Sequence, residues 1–151
     1  MASVHEVAAY ILLKDGPMSA MKLQKLAYFS YGYHLAWEDE RLFPEPFEAW
    51  ANGPVAPALY ADHRGRYTLS AGDIDGDSEA LTTDEKESID VVLENLGNYS
   101  AHQLSEASHH KDGPWQMARD RAGARDLERS NEELRDEDIA DYFGALVATS
   151  E

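Results

Sequence analysis

The chain has 151 residues, the size of one domain, whose single core buries roughly two-thirds of the surface that the unfolded chain exposes. It contains no cysteine, which excludes a disulfide framework, a thiolate zinc site and a thiol nucleophile, and which fits a reducing cytoplasm. With 13 lysines and arginines against 29 aspartates and glutamates, the formal net charge is -16. Its long-range field repels nucleic acid and anionic membranes and attracts basic partners.

The N-terminal apolar run in MASVHEVAAYILLKDG is interrupted at its start by His5 and Glu6, and is too short and polar for a bilayer span or a secretory signal. Ser3 followed by Glu6 forms a capping-box pattern, and Val4, Val7, Ala8, Ile11 and Leu12 recur at helical spacing up to Asp15-Gly16-Pro17. This predicts a first core helix. A second starts after Ser19 and aligns Leu23, Leu26, Ala27, Ser30, His34 and Trp37 on one stripe, with Tyr28, Phe29 and Tyr31 alongside. A helix aromatic around most of its circumference must bury two faces or lend one to a partner.

Pro44 and Pro46 forbid a regular helix in RLFPEPFEAWANGP, whereas Phe47, Ala49 and Ala51 alternate as a short strand would. A hairpin or ribbon is expected there, with Arg66 to Ser70 as its return strand; Asn52-Gly53 signals a turn that Pro54 makes awkward. Pro57 suits the first turn of a short helix ending before Arg64-Gly65. Thr82 with Glu85, and Ser100 with Gln103, are two further capping boxes, the first opening a helix through Ile89, Val92, Leu93 and Leu96 that Gly97 closes. After Trp115 a charged stretch leads to a last helix carrying Ile139, Tyr142, Phe143 and Leu146. The expected architecture is mainly α: a single compact domain, residues 1–151, of about six helices with a small β-hairpin or ribbon inserted after the second.

Three constellations invite a chemical reading, and each has a plainer one. Asp73, Asp75, Asp77, Glu79 and Asp84 space carboxylates as a calcium loop does, but Ser78 stands where that loop requires glycine. A solvated acidic loop capping the next helix accounts for the row. Glu106 and His109, with His102 and His110 nearby, supply one half of a di-iron ligand set, and no second half is found. Adjacent His109 and His110 also diverge by about 100° on a helix. Asp62-His63 with Ser70 or Ser105 could assemble a triad in space, yet no strained nucleophile turn is present. No catalytic residue, metal site or cofactor is therefore assigned.

The succession MKLQKLAYFSYGYHLAW, RLFPEPFEAWANGPVAPALYADHRG, LTTDEKESIDVVLENLGNYSAHQLSEASHHKDGPWQMAR and EDIADYFGAL resembles the Panacea antitoxin domain, the SocA-like family once catalogued as phage-associated proteins. The Leu-Gln-Lys-Leu, Glu-Ala-Trp, Gly-Pro-Val and Pro-Trp elements are specific in this order and spacing, and the match covers nearly the whole chain, less so its tail after about residue 119. The resemblance implies a non-enzymatic helical domain that binds and neutralises a toxin encoded in the adjacent gene. At least one member of the family delivers its toxin to an ATP-dependent protease, which leaves a proteolytic adaptor as the alternative; a metal-dependent enzyme on the His102, Glu106, His109 and His110 face is the alternative from another class.

By motif, the family positions are Leu23, Gln24, Lys25, Leu26 and Tyr28 on the second helix, then Trp50, Gly53, Pro54, Val55 and Tyr60, then Pro114 and Trp115. Trp50 is expected to anchor the ribbon, Gly53 to free its turn, and Pro54 and Pro57 to fix the approach to the Tyr60 helix. Such a rigid corner either presents a toxin-binding surface at little ordering cost or serves only to make the fold. Specificity is expected in the acidic loop from Gly72 to Asp84 and in the tail after Arg119. A basic toxin would suit the acidity, direct nucleic-acid binding would not, and the place of action is expected to be the cytoplasm.

Overall fold

The computed structural model describes residues 2–149. Seven α-helices run in the order α1 (Val4–Asp15), α2 (Ala20–Glu38), α3 (Pro57–His63), α4 (Thr83–Leu96), α5 (Ala101–Ser108), α6 (Pro114–Ala122) and α7 (Asp136–Thr149). Four short strands join them: β1 (Met18–Ser19), β2 (Glu48–Trp50), β3 (Gly53–Val55) and β4 (Thr68–Leu69). Among the described residues the fold is mainly helical with two small antiparallel ribbons.

The local start signals act as the sequence predicts. Ser3 with Glu6, Thr82 with Glu85 and Ser100 with Gln103 each close a reciprocal capping box, in which the cap side chain accepts from the third helical N–H and the acid or amide accepts from the cap N–H. Ser19 caps α2 through Lys22 N–H. Gly97 ends α4 by donating its N–H to Leu93 O.

α2 is the axis of the molecule. All ten residues from Leu23 to Gly32 are buried, because α1, α4, α5, α7 and β3 pack around it. The aromatic circumference of this middle stretch is thus consumed inside the domain, and only the ends of α2 keep exposed apolar side chains, Met21 and Trp37. Tyr28 meets Phe29, Phe47 and Phe143 edge to face at centroid distances of 5.3, 5.4 and 5.6 Å, while Tyr31 packs on Phe43 and Phe47. The proline-bearing stretch ahead of β2 buries Leu42, Phe43 and Phe47 in this cluster. α7 lies along α2 at Gly32, where a β-carbon would fall 2.2 Å from the Phe143 ring.

β2 and β3 form the expected hairpin, with Glu48 opposite Val55, Ala49 opposite Pro54 and Trp50 opposite Gly53 across the two-residue loop Ala51-Asn52. Pro54 fits because its partner Ala49 turns away. Ala49 gives its N–H to Glu132 O and receives Arg119 Nη1 on its carbonyl, so the missing proline donor opposite costs nothing. Gly53 takes φ +132°, where a side chain is strained.

The stretch from Arg66 to Ser70 does not return to this hairpin. Thr68 and Leu69 instead pair with Ser19 and Met18 just ahead of α2. Both hairpin edges are already taken: residues 132–134 run beside β2 through Ala49 N–H to Glu132 O and Leu134 N–H to Phe47 O, and α2 side chains hold β3 and its exit.

Candidate protein-binding site

Gln24 is fully buried and reads both polar groups of one residue. Ala56 N–H donates to its Oε1 at 2.9 Å, and its Nε2 donates to Ala56 O at 3.3 Å and to His63 Nε2 at 2.9 Å. Accepting from an amide nitrogen requires a neutral imidazole, in keeping with burial holding His63 below the usual histidine range. One side chain therefore welds the exit of β3 to the end of α3. Replacing Gln24 with leucine keeps the volume but strands the Ala56 N–H and carbonyl; a loss of roughly 2–3 kcal/mol, or roughly 5–10 °C in Tm, is expected by urea and thermal unfolding.

Lys25, at 1 % exposure, lies under the hairpin turn and donates from Nζ to Pro54 O at 3.1 Å. A β-carbon at Gly53 would stand 2.6 Å from Lys25 Cε, so glycine is required there for space as well as for φ. Burial lowers the Lys25 ammonium from the ordinary lysine value to about 8. Between about pH 8 and the unfolded lysine range the unfolded chain holds the extra proton, so raising pH favours folding. Stability is expected to rise by up to about 2 kcal/mol from pH 8 to 9.5 and to lose that rise in Lys25→Met, as read by urea midpoints. Buried tyrosines such as Tyr28, pushed up by burial, oppose the trend only where unfolded tyrosines ionise near pH 10.

The other side of the hairpin is held by α5 and α6. Ser105 Oγ donates to Asn52 O at 2.6 Å, and Trp115 Nε1 donates to Trp50 O at 2.8 Å. The Trp115 indole is stacked between the His109 ring, 4.0 Å away, and the Arg119 guanidinium at 5.1 Å. Arg119, at 2 % exposure, donates to Ala49 O at 2.9 Å and to Arg125 O and Glu128 O at 2.7 Å each. It draws residues 125–128 against the hairpin.

Of the twelve motif residues singled out, Leu23, Gln24, Lys25, Leu26, Tyr28, Gly53, Pro54, Val55, Pro114 and Trp115 are buried. Leu23, Leu26 and Tyr28 belong to the core around α2 and Pro114 opens α6; the others form or brace the hairpin. Trp50 and Tyr60 are half-buried and meet edge to face at 4.9 Å. They wall a cavity of about 410 Å³ whose remaining lining includes Met21, Asn52 and the tail residues Arg129, Ser130 and Asn131. Met21 escaped sequence reasoning, whereas Arg129, Ser130 and Asn131 fall in the tail after Arg119 where specificity is expected, without having been singled out individually. Arg119 carried a signal, one helical turn after Trp115 on the same face.

The chemical alternatives find different surroundings. His109 stacks on Trp115, His110 leans on Tyr142 and His102 lies 4.0 Å from Glu106 on an exposed face. Asp62 pairs with His5 Nε2 at 2.7 Å, whereas His63 faces Gln24. Among the described residues, no three histidines, aspartates or glutamates gather closely enough to share a metal ion.

A helical domain whose buried Leu-Gln-Lys-Leu segment clamps a Trp-bearing Gly-Pro-Val hairpin defines the class, and comparison with known proteins agrees. The Antitoxin SocA-like, Panacea domain matches residues 23–116, so the chain belongs to the SocA-like Panacea antitoxin family. It is 34 % identical over 114 residues to Antitoxin SocA of Caulobacter vibrioides (strain NA1000 / CB15N). That alignment covers 68 % of this chain and 61 % of the length of that protein. No solved structure matches the chain significantly.

Proposed function

We propose that this protein is a non-enzymatic antitoxin that neutralises a toxin encoded in the adjacent gene by direct protein-to-protein binding, and that the cavity beside the hairpin is part of the contact surface. One observation carries the reading of the surface. The cavity has one wall of family-motif residues, Trp50, Gly53, Val55 and Tyr60, and another of tail residues outside the family match, Arg129 to Asn131. A wall inside the family match facing one outside it suits a scaffold that meets different toxins. Leu127, 79 % exposed and held at φ +64°, stands at the same loop as a further apolar contact. The domain takes in the whole chain, 1–151, in this reading, supported by the packing of α7 along α2.

The net charge of -16 favours a basic toxin, drawn in by long-range attraction. Association that does not weaken between low and physiological ionic strength would contradict that steering. Cytoplasmic action is part of the same proposal; among the described residues no helix is long and apolar enough to cross a membrane.

The deciding experiment expresses the neighbouring open reading frame with and without this protein. Arrested growth, rescue on co-expression and a co-purifying complex support the reading. A harmless neighbour, or no rescue and no complex, overturns it. Rescue accompanied by falling toxin levels would instead identify a proteolytic adaptor.

A further inference from the structure

At the opposite end of α2 from Met21, about 24 Å along the axis, a second cleft opens between the last turn of α2 and the first turns of α4. Its volume is about 470 Å³, and Trp37, Glu38, Asp84, Glu87, Ser88 and Val91 line it. Trp37 is 38 % exposed; one face of its indole stacks on Tyr33 at 5.2 Å with 27° between the planes. Glu38, Asp84 and Glu87 make no ion pair with any described lysine, arginine or histidine, and Lys86 turns instead to Glu79.

The end of α2 adds its own preference for a cation. The C-terminus of a helix carries a partial negative charge that favours cations, yet the last turn of α2 has no basic residue and continues through Glu38, Asp39 and Glu40. An open aromatic face, unpaired carboxylates and a helix C-terminus together match a planar, delocalised cation better than a compact ammonium.

We propose that this cleft docks an arginine of a basic segment on the protein partner, the guanidinium lying on the free face of Trp37 and bonding to the carboxylates of Glu38, Asp84 and Glu87. The partner's identity as a toxin rests on the antitoxin reading; the arginine chemistry rests on the cleft. The partner would then touch α2 at both ends while its middle stays buried.

The test has two arms. In the first, the full chain with nitrogen-15-labelled indoles is titrated with acetyl-triarginine amide and, as the uncharged match, acetyl-tricitrulline amide. The Trp37 indole resonance is expected to move saturably with the arginine peptide, at least fivefold less with citrulline, and not at all in the Glu38→Gln, Glu87→Gln double variant. No movement, equal movement with citrulline, movement that survives the double variant, or the Trp37, Trp50 and Trp115 indoles moving together overturns the cleft. In the second arm the toxin complex is measured with the same double variant, whose substitutions are at exposed positions and leave Tm unchanged. A tenfold or greater loss of affinity supports the proposal. A complex formed with unchanged affinity overturns the cleft and leaves the antitoxin reading standing, whereas absence of any complex overturns that reading and leaves the peptide titration to decide the cleft.

Discussion

Replacing Arg119 with alanine is expected to cost about 4 kcal/mol and to loosen one wall of the hairpin cavity in the same step. Its guanidinium donates to three main-chain carbonyls, those of Ala49, Arg125 and Glu128, and stacks on Trp115. Hydrogen bonds from a charged donor contribute about 1.5–3 kcal/mol each, and buried carbonyls left without donors add their own desolvation cost. Water entering the truncated site offsets part of this, which is why the expected total is smaller than the sum. Arg119→Lys keeps the charge but offers a point donor where a planar fork reaches three carbonyls, so it should recover less than half of the loss. Urea unfolding measures the stability; hydrogen exchange at Ala49 and Leu134, whose N–H groups join the hairpin side to the loop, reports whether the loop has come away. If exchange at those amides is unchanged in the alanine variant, the loop is held by something other than Arg119.

The second large effect is expected where α7 meets α2. Phe143→Ala removes a fully buried ring that contacts Tyr28, Phe29, Tyr33 and Tyr142, and a loss of about 4 kcal/mol follows from the transfer and cavity terms together. Gly32→Ala probes the same contact from the other side with a sign that packing decides. In an exposed helix, alanine for glycine would stabilise by about 1 kcal/mol. Here the added methyl would lie 2.2 to 2.5 Å from three atoms of the Phe143 ring, inside a cluster that has no room to yield. Overpacking at about 3 kcal/mol wins over propensity, leaving a net loss of about 2 kcal/mol. A double variant, Gly32→Ala with Phe143→Leu, should lose less than the two separate effects added, and additivity in that cycle would refute the contact.

The fold was legible wherever its signals are local. Ser3, Thr82 and Ser100 announce three helix starts because capping is settled within four residues, and all three boxes form. Strand pairing is decided by competition between distant segments. Nothing near Thr68 and Leu69 reveals that the β2 edge is occupied by residues 132–134 and the β3 edge by Gln24 and Lys25, so their pairing with Met18 and Ser19 could not be read from the chain.

The candidate site divides along the same line. Trp50 and Tyr60 were visible through their motif, and they are the motif residues that keep exposure. Arg129 to Asn131 lie in the tail where specificity is expected, but a charged stretch without periodicity gives no hint that a remote arginine will place them beside the hairpin. The acidic loop between Gly72 and Asp84 shows the opposite mismatch. Its composition suggests a freely solvated segment, yet Ile74 and Leu81 are buried and Gly76 sits so close to His5 O that a β-carbon there would come within 2.5 Å. Two apolar anchors in an acidic run were enough to tie it to α1.

The manner in which the tail loop is fastened has a consequence for how such a protein can change allegiance. Arg119 grips Arg125 and Glu128 through their carbonyls, and Glu132 and Leu134 meet the hairpin side through main-chain atoms as well. Carbonyls and N–H groups are common to nearly every residue, so the loop's course is written largely in the framework; Ser130 Oγ, which accepts from Glu132 N–H, and Glu128 Oε1, which accepts from Arg125 N–H, add side-chain ties, while Leu127, Arg129 and Asn131 are released from that duty. The side chains of Leu127, Arg129 and Asn131 can therefore be exchanged as a set, in the way a paratope is rewritten on a constant frame, while Ser130 stays with the frame.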